Sequence, residues 1–405
     1  MSKTIDEYGR KEEELIIPTD LKTYLNNIAD NRFGYRLGEP WKYSEETLGV
    51  VVPILREGAP DRQYTTIYEI LKELNIKDTG SINQVELQNR SGIAIFVRAG
   101  TIFKGKTQPR AAQHSGVYSN EKEIIDVRCV NASHGISKGE EMSFCDIAPP
   151  SVTVNLMSKN QSDVWNSVSN YTVGLGQQRR SDTVINTIPE GLPEDAMRAL
   201  NRIDLRTRGV YTRVYVHTAS NGQKTARITR EKLSEDIRQI WRGDVSDENI
   251  DALDRFANAN NVDIHNSTDL LHGIKKGQSI LDDMMQKVPL FDNQVGAIIF
   301  NPVGVIAVET FDHPKSWESI KKEIIEKYGD KIKEKQENHL FELKPEMILP
   351  ALRKFIEGLD KFSEKTIRKD EYSETRAVRG EGIIGEYTLV KGQPIHVLLL
   401  KENYG

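Results

Sequence analysis

Gly100-Thr101-Ile102-Phe103-Lys104-Gly105-Lys106-Thr107 matches, letter for letter, the phosphate-loop pattern G-x-x-x-x-G-K-[ST]. In a true phosphate loop the glycines let backbone N–H groups wrap a phosphate, and a long helix follows with its positive end on the anion. A strand-like run does precede these residues. The interior of the motif and the chain beyond Thr107 do not fit. Thr101, Ile102 and Phe103 favour extended backbone where open turns are needed. Pro109 and Gly116 interrupt the place where the helix should start. The best candidate for a magnesium-binding strand, Ile124-Ile125-Asp126, is short. The stretch therefore reads as strand and loop, and a nucleoside-triphosphatase fold is set aside.

The flanking chain mixes helices and strands without a strict alternation, which points to α+β rather than a doubly wound sheet. Residues 82–88 and 93–99 read as strands joined by the turn-like Asn89-Arg90-Ser91-Gly92, hence as a hairpin, with more strand at 124–130. Upstream, Leu21, Tyr24, Leu25 and Ile28 fall on one helical face behind Thr19, a candidate cap, and residues 48–55 form a β-branched run. Thr66-x-x-Glu69 reads as the capping box of a short helix whose apolar face is Ile67, Ile70, Leu71 and Leu74. Downstream, residues 296–300 and 303–308 predict a second hairpin around Asn301-Pro302. Helices are expected from Pro314, stopping at Gly329, and from Pro350, with closing strands at 383–390 and 395–400.

Between these β-rich parts, residues 177–290 differ in texture. Ile250, Leu253 and Ala257 share one helical face, and Ile280, Leu281, Met284 and Val288 another. From Arg198 to Arg242 there are 11 Lys+Arg against 4 Asp+Glu, in a chain whose net charge is −5. The expected organisation is an N-terminal extension with a helix (1–47), a mixed β-rich α+β core (48–176 and 291–405), and a helical basic insertion (177–290). The insertion lacks a recognised nucleic-acid fold and dense aromatics, so nucleic acid is disfavoured as a partner. No apolar run reaches the ~18 residues of a membrane span, and the charged start carries no apolar signal core. Two cysteines are too few for a disulfide framework. A soluble cytoplasmic protein is expected.

Several residues could carry chemistry. Lys104, Lys106, Gln108, Arg110 and His114 crowd eleven positions after a strand, and period two would place the first four on one face. Three cations beside an amide donor suit a phosphate or carboxylate; the bland alternative is a solvated strand face, with Gln108 and Arg110 bonding the fold's own carbonyls. Cys129, five residues before His134, could act as a thiolate, or be an inert buried thiol. Glu309 and Asp312 stand at a strand-to-helix junction, where they could do acid–base work; Asp312 or His313 could instead simply cap the helix starting at Pro314. Scattered histidines give no metal motif, and no metal or cofactor is expected.

Gly100-x4-Gly105-x2-Gln108-x-Arg110, Val127-Arg128-Cys129-Val130, Gln161-Ser162-Asp163-Val164-Trp165, Val295-Gly296-Ala297-Ile298-Ile299-Phe300 through Glu309-Thr310-Phe311-Asp312, and Pro394-Ile395-His396-Val397-Leu398-Leu399 occur in this order. Together they resemble the ARG-and-rhodanese-phosphatase-superfamily-associated protein family, where ARG stands for ADP-ribosylglycohydrolase. The resemblance covers about residues 48–400 around the basic insertion. It departs where the family's acidic residue is Asn131 here, and its Gly-Arg-Trp is Ser133-His134-Gly135. It implies an α+β domain of uncharacterised function linked by association to ADP-ribose metabolism. Two functions are expected. The first is binding of a phosphorylated small molecule of nucleotide or ADP-ribose type through the 104–114 loop. The second is a non-catalytic interaction or assembly role, with the insertion as the surface for a protein partner or self-association. Whether the chain is an enzyme stays open.

Overall fold

The computed structural model describes residues 20–42, 49–105, 108–131, 138–177, 185–187, 212–218, 224–230, 270–271, 274, 289, 291–301, 304–332, 344–380 and 382–402. Its largest element is an eight-stranded antiparallel sheet, ordered β1 (Tyr35–Leu37), β2 (Val50–Arg56), β15 (Gln294–Asn301), β16 (Gly304–Phe311), β20 (Gln393–Lys401), β19 (Ile383–Val390), β18 (Ser373–Gly380) and β17 (Ser363–Lys369). The central strands are apolar nearly throughout because both sheet faces are covered. On one face, Val52, Ile298, Val308, Val397 and Leu399 pack with Tyr24, Leu25 and Ile28 of α1 (Leu21–Ala29) and with Ile348, Leu352 and Ile356 of a late helix, Pro345–Gly358. On the other, Val51, Ala297, Ile299, Phe311 and Leu398 pack with Tyr64, Phe96, Ile147, Val154, Trp317, Ile324 and Tyr328. Each side chain of this size stabilises the fold by about 1.5–3 kcal/mol when fully buried. The outer strand β17 is polar and exposed, which protects the sheet edge from further pairing.

A second unit is a closed six-stranded barrel of β10 (Lys122–Cys129), β5 (Gln84–Asn89), β4 (Leu74–Asp78), β11 (Glu141–Ile147), β7 (Thr101–Lys104) and β8 (Arg110–Ala112). A three-stranded sheet, β3 (Thr65–Thr66), β6 (Ile95–Val97) and β9 (Gly116–Tyr118), joins the two units. Alternation along β6 does the joining: Ile95 and Val97 enter the barrel core while Phe96 enters the core of the large sheet. Helices α2 (Pro150–Ser158) and α3 (Gln161–Gln177) follow the barrel, and α4 (Pro314–Glu318) and α5 (Lys321–Ile332) follow β16; α6 is the helix from Pro345 to Gly358. Among the described residues no helix is long and apolar enough to cross a membrane.

The α+β architecture, the β15–β16 hairpin and the two closing strands agree with the sequence reading. Several local expectations do not. Strands β5 and β6 exist but are not a hairpin: β5 pairs with β4 and β10, and β6 with β3 and β9. The intervening Asn89 takes Ser91 N–H on its side chain and gives its amide to Ile93 O, and Gly92 sits at φ +71°, so the turn redirects the chain into another sheet. The capping-box bond forms, Thr66 N–H to Glu69 at 3.0 Å, but only a turn and one 3-10 segment, Leu71–Glu73, follow it. Ile67 N–H instead bonds Phe96 O, continuing the strand contact. Asp20 caps α1, accepting Thr23 N–H at 2.7 Å; the expected cap Thr19 lies outside the described residues. The helix after Pro314 is broken into α4 and α5 and runs past Gly329, while α6 begins at Pro345 and contains Pro350. Within 177–290 the described strands β12 (Ile185–Thr187), β13 (Thr212–Thr218) and β14 (Lys224–Arg230) form a sheet of order β12–β14–β13. The segment expected to be helical thus contains a β-hairpin, consistent with the β-branched Val214, Val216, Thr225, Ile228 and Thr229. The two helical faces expected at 250–257 and 280–288 lie outside the described residues.

Candidate functional site

Glu309 on β16, Glu386 on β19 and His396 on β20 share one face of the large sheet. Glu309 and Glu386 both stand opposite Leu398, and His396 stands opposite Phe311 and Thr388. Each is the one carboxylate or imidazole in a largely apolar strand, and each is at most 1% exposed. A buried charge costs several kcal/mol unless it is paired and fully hydrogen-bonded, so the partners matter.

Glu309 meets Arg98, which follows β6. Arg98 Nε donates to Glu309 Oε1 at 2.5 Å and Nη2 to Oε2 at 2.9 Å, a bidentate pair. Tyr328 O–H adds a bond to Oε2 at 3.2 Å, and His396 Nε2 lies 3.3 Å from Oε1. Burial alone would raise the Glu309 pKa; the charge and hydrogen bonds of Arg98 outweigh it and bring the carboxyl down to about 2. Burial pushes the His396 pKa down. A neutral ring facing an ionised carboxylate must donate through Nε2–H, which leaves Nδ1 as a bare acceptor. Gly100, at φ +83°, lets this arrangement close: a Cβ there would lie 2.9 Å from Thr153 Oγ1 and 3.4 Å from an Arg98 guanidinium nitrogen.

Glu386 reaches the loop between β8 and β9. Its Oε1 accepts Ser115 N–H at 2.6 Å, and its Oε2 lies 3.0 Å from His114 Nδ1. Burial alone would raise the Glu386 pKa, but the hydrogen bonds and charge of His114, with the Ser115 N–H, lower it. The Glu386 side chain is fully buried whereas that of His114 is 23% exposed. A buried carboxylate therefore orients a partly exposed imidazole through its Nδ1, and the hydrogen bond at one ring nitrogen sets the role of the other.

Asp312 lies at the outer end of β16. Its Oδ1 accepts the Tyr64 O–H at 2.6 Å, Ser316 Oγ donates to the Tyr64 oxygen at 3.0 Å, and Arg62 reaches Ser316 Oγ at 3.3 Å. Burial lifts the Asp312 pKa to about 6 despite the Tyr64 bond and the charges of Arg56 and Arg62. Of the two expected cap residues, His313 is the cap of α4, its Nδ1 accepting Lys315 N–H at 3.1 Å. Asp312 does not cap.

The remaining sequence candidates separate. Lys104 is exposed at the end of β7; Lys106 and His134 lie outside the described residues. The chain continues into strand β8 rather than a helix, unlike a phosphate loop. Gln108 is buried and gives its amide to Asn131 O at 2.6 Å. Arg110 is wholly buried, donating to Asp78 at 2.6 Å and to Gln84 O at 3.1 Å. The common exposed face expected for Lys104, Gln108 and Arg110 does not form, because β8 turns its basic residue into the barrel. Cys129 is buried with its thiol donating to Asn131 O at 2.8 Å, and Gln161 clamps its backbone N–H and C=O. Glu309 is committed to Arg98. Sequence reasoning missed Arg98, Glu386 and the pairing role of His396; the available signal was Glu386 and His396 inside apolar strands and Arg98 directly after one.

The sequence model of the ARG and Rhodanese-Phosphatase-superfamily-associated Protein domain matches residues 34–400. No curated protein and no solved structure matches the chain. The match spans both β-units and both buried carboxylate clusters, nearly the whole length. The chain belongs to the ARG-and-rhodanese-phosphatase-superfamily-associated protein family.

Proposed function

We propose that the protein binds a phosphorylated small molecule of nucleotide or ADP-ribose type at the 104–114 segment, with His114 as the contact residue. The observation that supports this is the His114–Glu386 pair: the carboxylate is buried and anchored by Ser115 N–H, so the partly exposed imidazole is held by its Nδ1. Pre-orientation lowers the ordering cost of binding. Gln108 and Arg110 shape the segment from beneath rather than touching a ligand, since both are committed to internal bonds. The exposed Lys104 adds a cation to the same segment. Calorimetric titration with ADP-ribose, nucleotides and inorganic phosphate tests the reading. Binding should weaken about tenfold in His114→Gln, equal to about 1.4 kcal/mol. A wild type silent across the panel overturns it.

A second reading is an interaction role for the insertion. Strands β13 and β14 carry Arg213, Lys224, Arg227 and Arg230 and no acidic residue, which suits an acidic protein surface. Salt-dependent capture of a second copy or an acidic partner, lost on reversing these four charges, is its test.

A further inference from the structure

His396 lies between two aromatic rings, 4.7 Å from the Phe96 centroid and 4.6 Å from that of Phe311. Its Nε2–H is taken by Glu309, which Arg98 keeps ionised and therefore purely an acceptor. The opposite atom, Nδ1, is fully buried and has no hydrogen-bond partner among the described residues. An unmet buried acceptor costs about 1–3 kcal/mol, and the tautomer cannot reverse without breaking the bond to Glu309.

The next ionisable group on this face is Glu386. It lies on the neighbouring strand, two residues from Thr388, which stands directly opposite His396. Diagonal neighbours across an antiparallel pair are roughly 7–8 Å apart, within reach of long and aromatic side chains, yet His396 Nδ1 makes no hydrogen bond to this carboxylate. The Glu386 charge acts on His396. Its carboxylate takes Ser115 N–H on one oxygen and His114 on the other, and an ionised carboxylate offers about four lone-pair sites, so acceptor capacity remains. Two acceptors cannot bond one another. Only a small molecule with two donors can satisfy both, and in an interior packed with Phe96, Phe311 and Leu398 the one of suitable size is water.

We propose that a single internal water binds between His396 Nδ1 and the Glu386 carboxylate, donating one O–H to each. It completes a hydrogen-bonded chain from the partly exposed His114 through Glu386, water, His396 and Glu309 to Arg98 and Tyr328. The site goes beyond the ligand reading at His114 and stands whether or not that ligand binds.

The test uses the full wild-type chain. A high-resolution crystal structure should show an ordered oxygen within about 3.2 Å of both His396 Nδ1 and a Glu386 oxygen. In the histidine-labelled protein, NMR should place the proton of His396 on Nε2, with the signal identified by its contacts to Phe96 and Phe311, and should show a cross-peak to a long-lived water. An empty density map at that position, or a proton on Nδ1 with no water cross-peak, overturns the proposal. Neither measurement depends on ADP-ribose, nucleotide or phosphate binding.

Discussion

Asp312→Asn should make the protein more stable at neutral pH than the wild type. The carboxyl is 8% exposed, accepts the Tyr64 hydroxyl at 2.6 Å, and has its pKa lifted from 3.8 to about 6 by burial. Because the folded-state value is raised, the group contributes its full stability below about pH 4, where it is protonated in both states. Between about pH 4 and 6 the unfolded chain releases a proton that the folded protein retains, so stability falls with rising pH and the loss is complete above 6. A shift of about 2 units at 1.36 kcal/mol each gives roughly 3 kcal/mol. Asparagine keeps an acceptor oxygen for Tyr64 and removes the charge, hence the pH term. Urea unfolding of both proteins at pH 4, 5, 6 and 7 measures it. The stability difference should swing by about 3 kcal/mol in favour of Asp312→Asn across that range, whatever constant offset the amide introduces. A difference flat to within about 0.5 kcal/mol would refute the reasoning, and with it the placement of Asp312 as a strained carboxyl.

Glu309 should show the opposite dependence: its folded pKa is depressed to about 2, so its contribution is present above about pH 4.5 and lost as pH falls towards 2, and Glu309→Gln should remove that acid-side loss in the same urea series. Arg110→Met should cost about 3–5 kcal/mol by removing the guanidinium charge from the buried Asp78 carboxylate, and combining it with Asp78→Leu should recover much of this; a neutral single variant would refute the buried pair. Gly100→Ala should cost about 1–3 kcal/mol in thermal unfolding, because the residue has φ +83° and its Cβ would press on Thr153 Oγ1 at 2.9 Å. His114→Gln should weaken ADP-ribose, nucleotide or phosphate binding about tenfold in calorimetry, equal to about 1.4 kcal/mol.

Local pattern made much of the framework legible. The β-branched run of β2, the antiparallel pair β15 and β16, and the apolar strands β19 and β20 follow from side-chain alternation and turn chemistry within a few residues, which a single sequence carries in full. So did the failure of the phosphate-loop match: bulky residues at 101–103 demand extended backbone, and they form β7. Partner choice was not local. Strands β5 and β6 were recognisable, but which sheets they join depends on where the chain returns, and no neighbour in sequence records that β6 lies beside β3 and β9. The candidate site depended on partner choice throughout. Period two would place Lys104, Lys106, Gln108 and Arg110 on one face, but Arg110 stands opposite Phe103 and so turns away from Lys104, and barrel closure, which brings Asp78 to Arg110 across 32 residues, makes an internal ion pair of an expected anion receptor. Glu309 could be nominated as a carboxylate at a strand end; its commitment to Arg98, 211 residues away, could not be foreseen. His114 was in view without Glu386, and Glu386 looked like an isolated charge without His114. Alternation and turn residues determine which segments are strands and which way each side chain faces relative to its neighbours. Only long-range packing, by excluding water from one sheet face and bringing distant charges together there, decided which of those side chains are paired, which are neutral, and which one remains presented to solvent.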